Sequence, residues 1–161
     1  MDLATTIIGL VMLGAFVVPI VIMSKKSSNK NKAILIQLKE FAAQNNCKIS
    51  EYDVNAQFAL GLSKQKDQVF FIQKPGHDDV YINNSIRLNE VKNCVLQTTK
   101  HTDKLHKNTE SEIDTLDLCI HGKSKENSNI IWPLYNSQVT PQPDNEVQLA
   151  KKWISIIKST N

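Results

Sequence analysis

The chain has 161 residues, 41% of them hydrophobic and 22% charged, enough for one domain with a short appendage and too apolar for wholesale disorder. Its net charge of +3 is unevenly placed: Lys25, Lys26, Lys30, Lys32 and Asp2 fall in the first 32 residues, so residues 33–161 carry fifteen charges of each sign. A domain that binds nucleic acid carries a basic excess to meet phosphates, so no nucleic-acid partner is expected.

Leu3 to Met23 is a run of 21 residues without a charge. As a helix it reaches about 31 Å, close to the hydrocarbon thickness of a bilayer. Gly9, Gly14 and Pro19 are tolerated in such a segment. No positive region precedes the run and no small-residue cleavage pattern follows it, which favours an uncleaved anchor over a signal peptide. Residues 1–23 are therefore expected to span the cell (inner) membrane once. Residues 24–32 read as a basic linker and 33–161 as a single β-rich domain with a helix at each end. The lysines Lys25, Lys26, Lys30 and Lys32 all follow the apolar run, which puts the amino terminus outside and the domain in the cytoplasm. The same lysines offer contact with anionic lipid headgroups, worth about 1 kcal/mol each near the surface. Cys47, Cys94 and Cys119 are odd in number and widely spaced, as suits free thiols in a reducing compartment.

Ala33 to Asn46 has apolar residues at helical spacing (Ile34, Leu38, Phe41 and Leu35, Leu38, Ala42), one wet face, and Asn45-Asn46 to stop it. The period then changes from 3.6 to 2. Phe58, Leu60 and Leu62 alternate with Ala59, Gly61 and Ser63, and Lys64-Gln65-Lys66-Asp67 makes a polar turn. Gln68 to Gln73 is aromatic and β-branched, and Pro75-Gly76 turns the chain again. Further strands are expected at Val80–Ile82, around Ile86 and Leu88, and at Cys94–Thr98, Ile113–His121 and Asn129–Tyr135. In the clearest of them Leu116, Leu118 and Ile120 face inward, with Asp117, Cys119 and His121 outward. Lys100 to Ser111 reads as a long loop. After Pro141 and Pro143, Asp144 is the expected N-cap of a final helix of about 14 residues. Its stripe is Val147, Ala150, Trp153, Ile154 and Ile157, with Lys151, Lys152 and Lys158 on the wet side.

Candidate chemistry is sparse. Cys119 and His121 stand two apart on one strand, nearly 7 Å, which is too far for an imidazole to activate the thiol. Asp117, His101, His106 and His77-Asp78-Asp79 could complete a metal site with them, but none has zinc-finger spacing, and no metal is expected. Three glycines outside the apolar run, Gly61, Gly76 and Gly122, leave no phosphate-cradling loop, and hydrolase and metalloprotease motifs are missing. No catalytic, cofactor-binding or metal-ligating residue is assigned, and an enzyme is not expected. Trp153, on an apolar stripe, reads as core. Pro133 beside Trp132 marks an edge strand, either open to a partner's strand or blocked against one.

Six or seven antiparallel strands followed by one amphipathic helix with a central tryptophan resemble a pleckstrin-homology-like domain. The resemblance rests on the alternating runs from Phe58 to Tyr135 and on Leu149-Ala150-Lys151-Lys152-Trp153-Ile154. The chain also resembles small membrane-anchored bacterial proteins of unassigned role. The resemblance implies an α+β fold in which a bent sheet or partly open barrel is capped by the C-terminal helix. Lipid-binding members carry a basic cluster on the first hairpin and into the next strand. Here the hairpin taken as first offers Lys64 and Lys66, but Gln68 to Ile72 has no basic residue, so phosphoinositide recognition is not implied. The expected function is a non-enzymatic, membrane-anchored protein-binding or scaffold module. The alternative is a membrane-tethered module that senses a lipid or small ligand.

Overall fold

The computed structural model describes residues 31–55, 57–74, 80–101, 112–124, 129–140, 142–143 and 145–159. The expected anchor, with Lys25, Lys26 and Lys30 of the linker, lies outside them. Among the described residues no helix is long and apolar enough to cross a membrane.

The first helix, α1, holds residues 31–44, so Asn31 and Lys32 are helical rather than linker. Its stop is a left-handed turn at Asn46 (φ 57°). There the Cys47 amide bonds the Ala42 carbonyl and the Asn46 amide bonds that of Ala43, both at 2.9 Å. That pair of bonds satisfies carbonyls a helix end otherwise leaves open.

Seven strands follow: β1 (Ile49–Val54), β2 (Phe58–Ser63), β3 (Gln68–Gln73), β4 (Ile82–Arg87), β5 (Val91–His101), β6 (Glu112–Gly122) and β7 (Ile130–Asn136). A single 3-10 turn, Leu88–Glu90, joins β4 to β5. The strands pair as two antiparallel meanders, β1-β2-β3-β4 and β5-β6-β7, and helix α2 (Glu146–Ser159) closes the described chain. The architecture is α+β, with no closed barrel.

Three expectations change. β1 was not foreseen, because Ser50, Glu51 and Asp53 break its apolar alternation. It is an edge strand with one wet face, a place where charge is common. Its presence makes β1–β2 the first hairpin, so Lys64 and Lys66 lie on the second; residues 49–63 contain no Lys or Arg. Of the strand expected at Val80–Ile82 only Ile82 is in a strand, and it joins the residues around Ile86 in β4, with Leu88 in the 3-10 turn. Lys100 and His101 extend β5 rather than opening the long loop, whose remainder lies outside the described residues, as does the Asp144 cap.

The core lies between the sheets under α2. Phe58, Leu60, Val69 and Phe71 of the first sheet meet Leu116, Leu118 and Trp132 of the second, with Ala150, Trp153 and Ile157 from α2. Phe71 and Trp132 stack across the junction, centroids 5.2 Å apart and planes 10° apart. β2 and β3 are buried on both faces. Ala59, Phe70 and Ile72 form a second cluster with Ile34, Leu38 and Ala42 of α1. Phe41 meets Phe70 edge-on at 5.7 Å. Gly61 permits that contact, since a Cβ there would stand 3.0 Å from Leu38 Cδ2 and 3.1 Å from Ile49 Cδ1.

Candidate functional site

Trp153 is fully buried, as a residue on the inner stripe of α2 should be. Its indole N–H donates to Asp53 Oδ2 of β1 at 2.9 Å. Lys152, expected on the wet side, reaches the same carboxylate at 2.7 Å and Glu51 at 3.1 Å. The hydrogen bond to Asp53 raises the Lys152 pKa against the opposing effect of burial, with Glu51 adding to the rise. A second tie joins the other end of α2: Asn55 Nδ2 donates to Glu146 Oε1 at 3.3 Å, while Asn55 Oδ1 accepts the Gln57 and Phe58 amides of the β1–β2 turn. The helix packs on the second sheet and is pinned to the first strand by polar bonds. Pairings a hundred residues apart, such as Asp53 with Trp153, leave no local trace in a sequence.

Burial pushes the Cys94 pKa up to about 11, with Cys119 adding to the rise and Lys158 opposing it. Burial, then Asp117, raises Cys119 as well. Asp117 is itself raised by burial, opposed by a hydrogen bond from Thr115. Cys119 Sγ contacts Gln97 Oε1 at 3.3 Å, and His121 Nδ1 lies 2.6 Å from Asn129 Oδ1, so thiol and imidazole have separate partners. Among the described residues no three His, Cys, Asp or Glu are placed to hold a metal. His77, Asp78, Asp79 and His106 lie outside them.

Trp132 is fully buried in the core. β7 is indeed an edge, last in its sheet, and Pro133 supplies it no amide. The Pro133 carbonyl accepts from Gln73 Nε2 of β3 at 3.4 Å, which occupies the edge at the point where a partner's strand would add.

The open surface is the outer face of the second sheet. Cys119 pairs with Val95 on one side and Ile131 on the other, so the three form an apolar row across β5, β6 and β7. Val95 is 37% exposed and Ile131 59%, and between them Cys119 is covered to 6%. Asn93, Gln97, Asp117 and His121 share that face by register, and no Lys or Arg pairs into it there. On the first sheet the corresponding outer face is buried under α1.

No family model matches this chain, and comparison with curated proteins and with solved structures returned no match. Its chemistry must be read from its own residues.

Proposed function

We propose that the chain is a non-enzymatic, single-pass membrane protein that displays a pleckstrin-homology-like domain in the cytoplasm to bind another protein, as an accessory or scaffold subunit. Support for that fold family comes from the element order: a four-stranded meander, a three-stranded meander, then an amphipathic helix whose tryptophan enters the core. The membrane and topology parts rest on the Leu3–Met23 run and the lysines after it.

The observation that carries the binding role is the unequal cover of the two sheets. One outer face is covered over β2 and β3 by α1; the other leaves Val95 and Ile131 to solvent around Cys119. An apolar centre with a neutral or acidic rim suits a protein surface. An anionic membrane would call for basic residues, which this face lacks.

Capture from detergent-solubilised membranes tests the reading. The full chain should retain a stoichiometric protein partner that Ile131→Lys and Val95→Lys release, with thermal unfolding unchanged because both side chains reach solvent. A homodimer dissolved by the same variants would identify the partner as a second copy. Retention of the partner by both variants, or lipid co-purifying without protein, would remove this face from consideration.

A further inference from the structure

A cleft of about 550 Å3 opens at the end of the first sheet, beyond the C-terminus of α1. Three segments wall it: the α1–β1 turn with Asn45 and Asn46, the β2–β3 turn with Lys66 and Asp67, and the end of β4 with Arg87 and Asn89. That volume is in the range of small-molecule sites. We propose that this cleft binds a ligand bearing a phosphate or carboxylate group, held by Arg87 and Lys66.

Charge is the first argument. Residues 45–48, 63–68 and 87–90 carry Lys48, Lys64, Lys66 and Arg87 against two acids, Asp67 and Glu90, in a domain whose total is zero. Lys48 and Lys64 flank the cleft, joined through the Lys64 amide and the Lys48 carbonyl at 2.7 Å. All four cationic side chains are exposed, and none has an ion pair among the described residues. Asp67 keeps its negative charge in the lining and offsets part of this excess, but it makes no ion pair with the four among the described residues, its Oδ1 accepting from Ser63 Oγ at 2.5 Å.

Preorganisation is the second. Arg87, the chain's one arginine, stands opposite Gln68 in the β3–β4 ladder. The next residue locks that position, the Leu88 amide bonding the Asp67 carbonyl at 2.7 Å. Ser63 Oγ also accepts the Asp67 and Gln68 amides, both at 3.1 Å, so the turn bearing Lys66 is tied at its base. Lys66 itself has φ 58°, a left-handed conformation that favours Gly or Asn. A guanidinium on a strand end and an ammonium on a backbone-tied turn, both lining one cleft, match the planar and tetrahedral oxyanions that such groups pair with.

One feature opposes an anion there. The negative end of the α1 dipole points toward the cleft. The carbonyls of Phe41, Ala42 and Ala43 that carry that charge already accept the Asn45, Cys47 and Asn46 amides. The dipole effect is confined to the last turn, whereas two full positive charges, Lys66 and Arg87, line the opening.

Calorimetric titration of the full chain in neutral detergent at low salt tests the site with three probes: inorganic phosphate, succinate and phosphatidylglycerol in mixed micelles. Saturable binding of at least one is expected. It should weaken about tenfold or more in Arg87→Gln and in Lys66→Asn, the latter chosen because Asn accepts the turn conformation. Lys151→Gln, which removes an exposed charge from α2, should leave it unchanged. Binding of phosphate or succinate marks a soluble ligand; lipid binding alone that Arg87→Gln and Lys66→Asn weaken marks a headgroup at the same cleft, whereas lipid binding that both leave unchanged belongs to the linker lysines and overturns the assignment. No saturable binding of any probe, or equal weakening by Lys151→Gln, would overturn the assignment. The result is independent of the apolar face on the second sheet.

Discussion

Trp153 concentrates the stability of the domain in one side chain, because it fills the core under both sheets and also spends its only donor on Asp53. Trp153→Ala removes that volume and should cost about 3–5 kcal/mol, a large part of the roughly 5–15 kcal/mol available to a domain of this size. Asp53→Ala keeps the ring but strands a buried N–H, a loss of about 1–3 kcal/mol. Lys152 meets the same carboxylate from solvent, with 41% of its side chain exposed. Lys152→Ala should therefore cost no more than about 1 kcal/mol, and less in high salt. Urea denaturation of the three variants should rank them in that order. A midpoint unmoved by Trp153→Ala would mean that the ring is not part of the core. The stripe of α2 announces a buried Trp at position 153. Nothing near position 53 announces its partner, since an aspartate in a polar edge strand looks like any solvated acid.

At the level of elements, α1 changes the character of the first sheet. Alternation in β2 reads as one apolar and one small-residue face, yet both are buried, the second because small residues let a helix approach. Ala59 and Gly61 on β2 make that room, and Phe70 and Ile72 on β3 supply the apolar contact. Gly61→Val would drive its methyls into Leu38 and Ile49, which already stand near 3 Å from a bare Cβ. Overpacking of this kind costs about 1–3 kcal/mol and should loosen α1 before the rest of the domain. Hydrogen exchange should show faster amides at 34–44 in that variant while β6 keeps its protection. Equal acceleration in β6 would indicate that helix and core unfold as one unit.

For the whole molecule, the helix preceding the sheets is part of the fold rather than a spacer from the expected membrane anchor. Residues 31–161 expressed alone should give a soluble monomer with mixed helix and strand circular dichroism. Residues 47–161 should aggregate, because removing α1 exposes Phe70 and Ile72 on the centre of a sheet. A soluble, folded 47–161 fragment would show that the α1 contact is dispensable. The amino-acid order by itself determined what depends on neighbours a few positions apart. This includes α1 and its stop at Asn45-Asn46, most of β2 to β7, the inward side of β6 and the stripe of α2. The tertiary structure alone decided what depends on residues brought together from afar. It added β1, whose polar edge hides its strand character, and it covered the second face of β2 and β3. It also joined Asp53 to Trp153, and it gathered Lys66 and Arg87 around one cleft. Period and capping are local and survive in sequence, whereas burial of a face and company among charges are set by whichever distant segment folds against them.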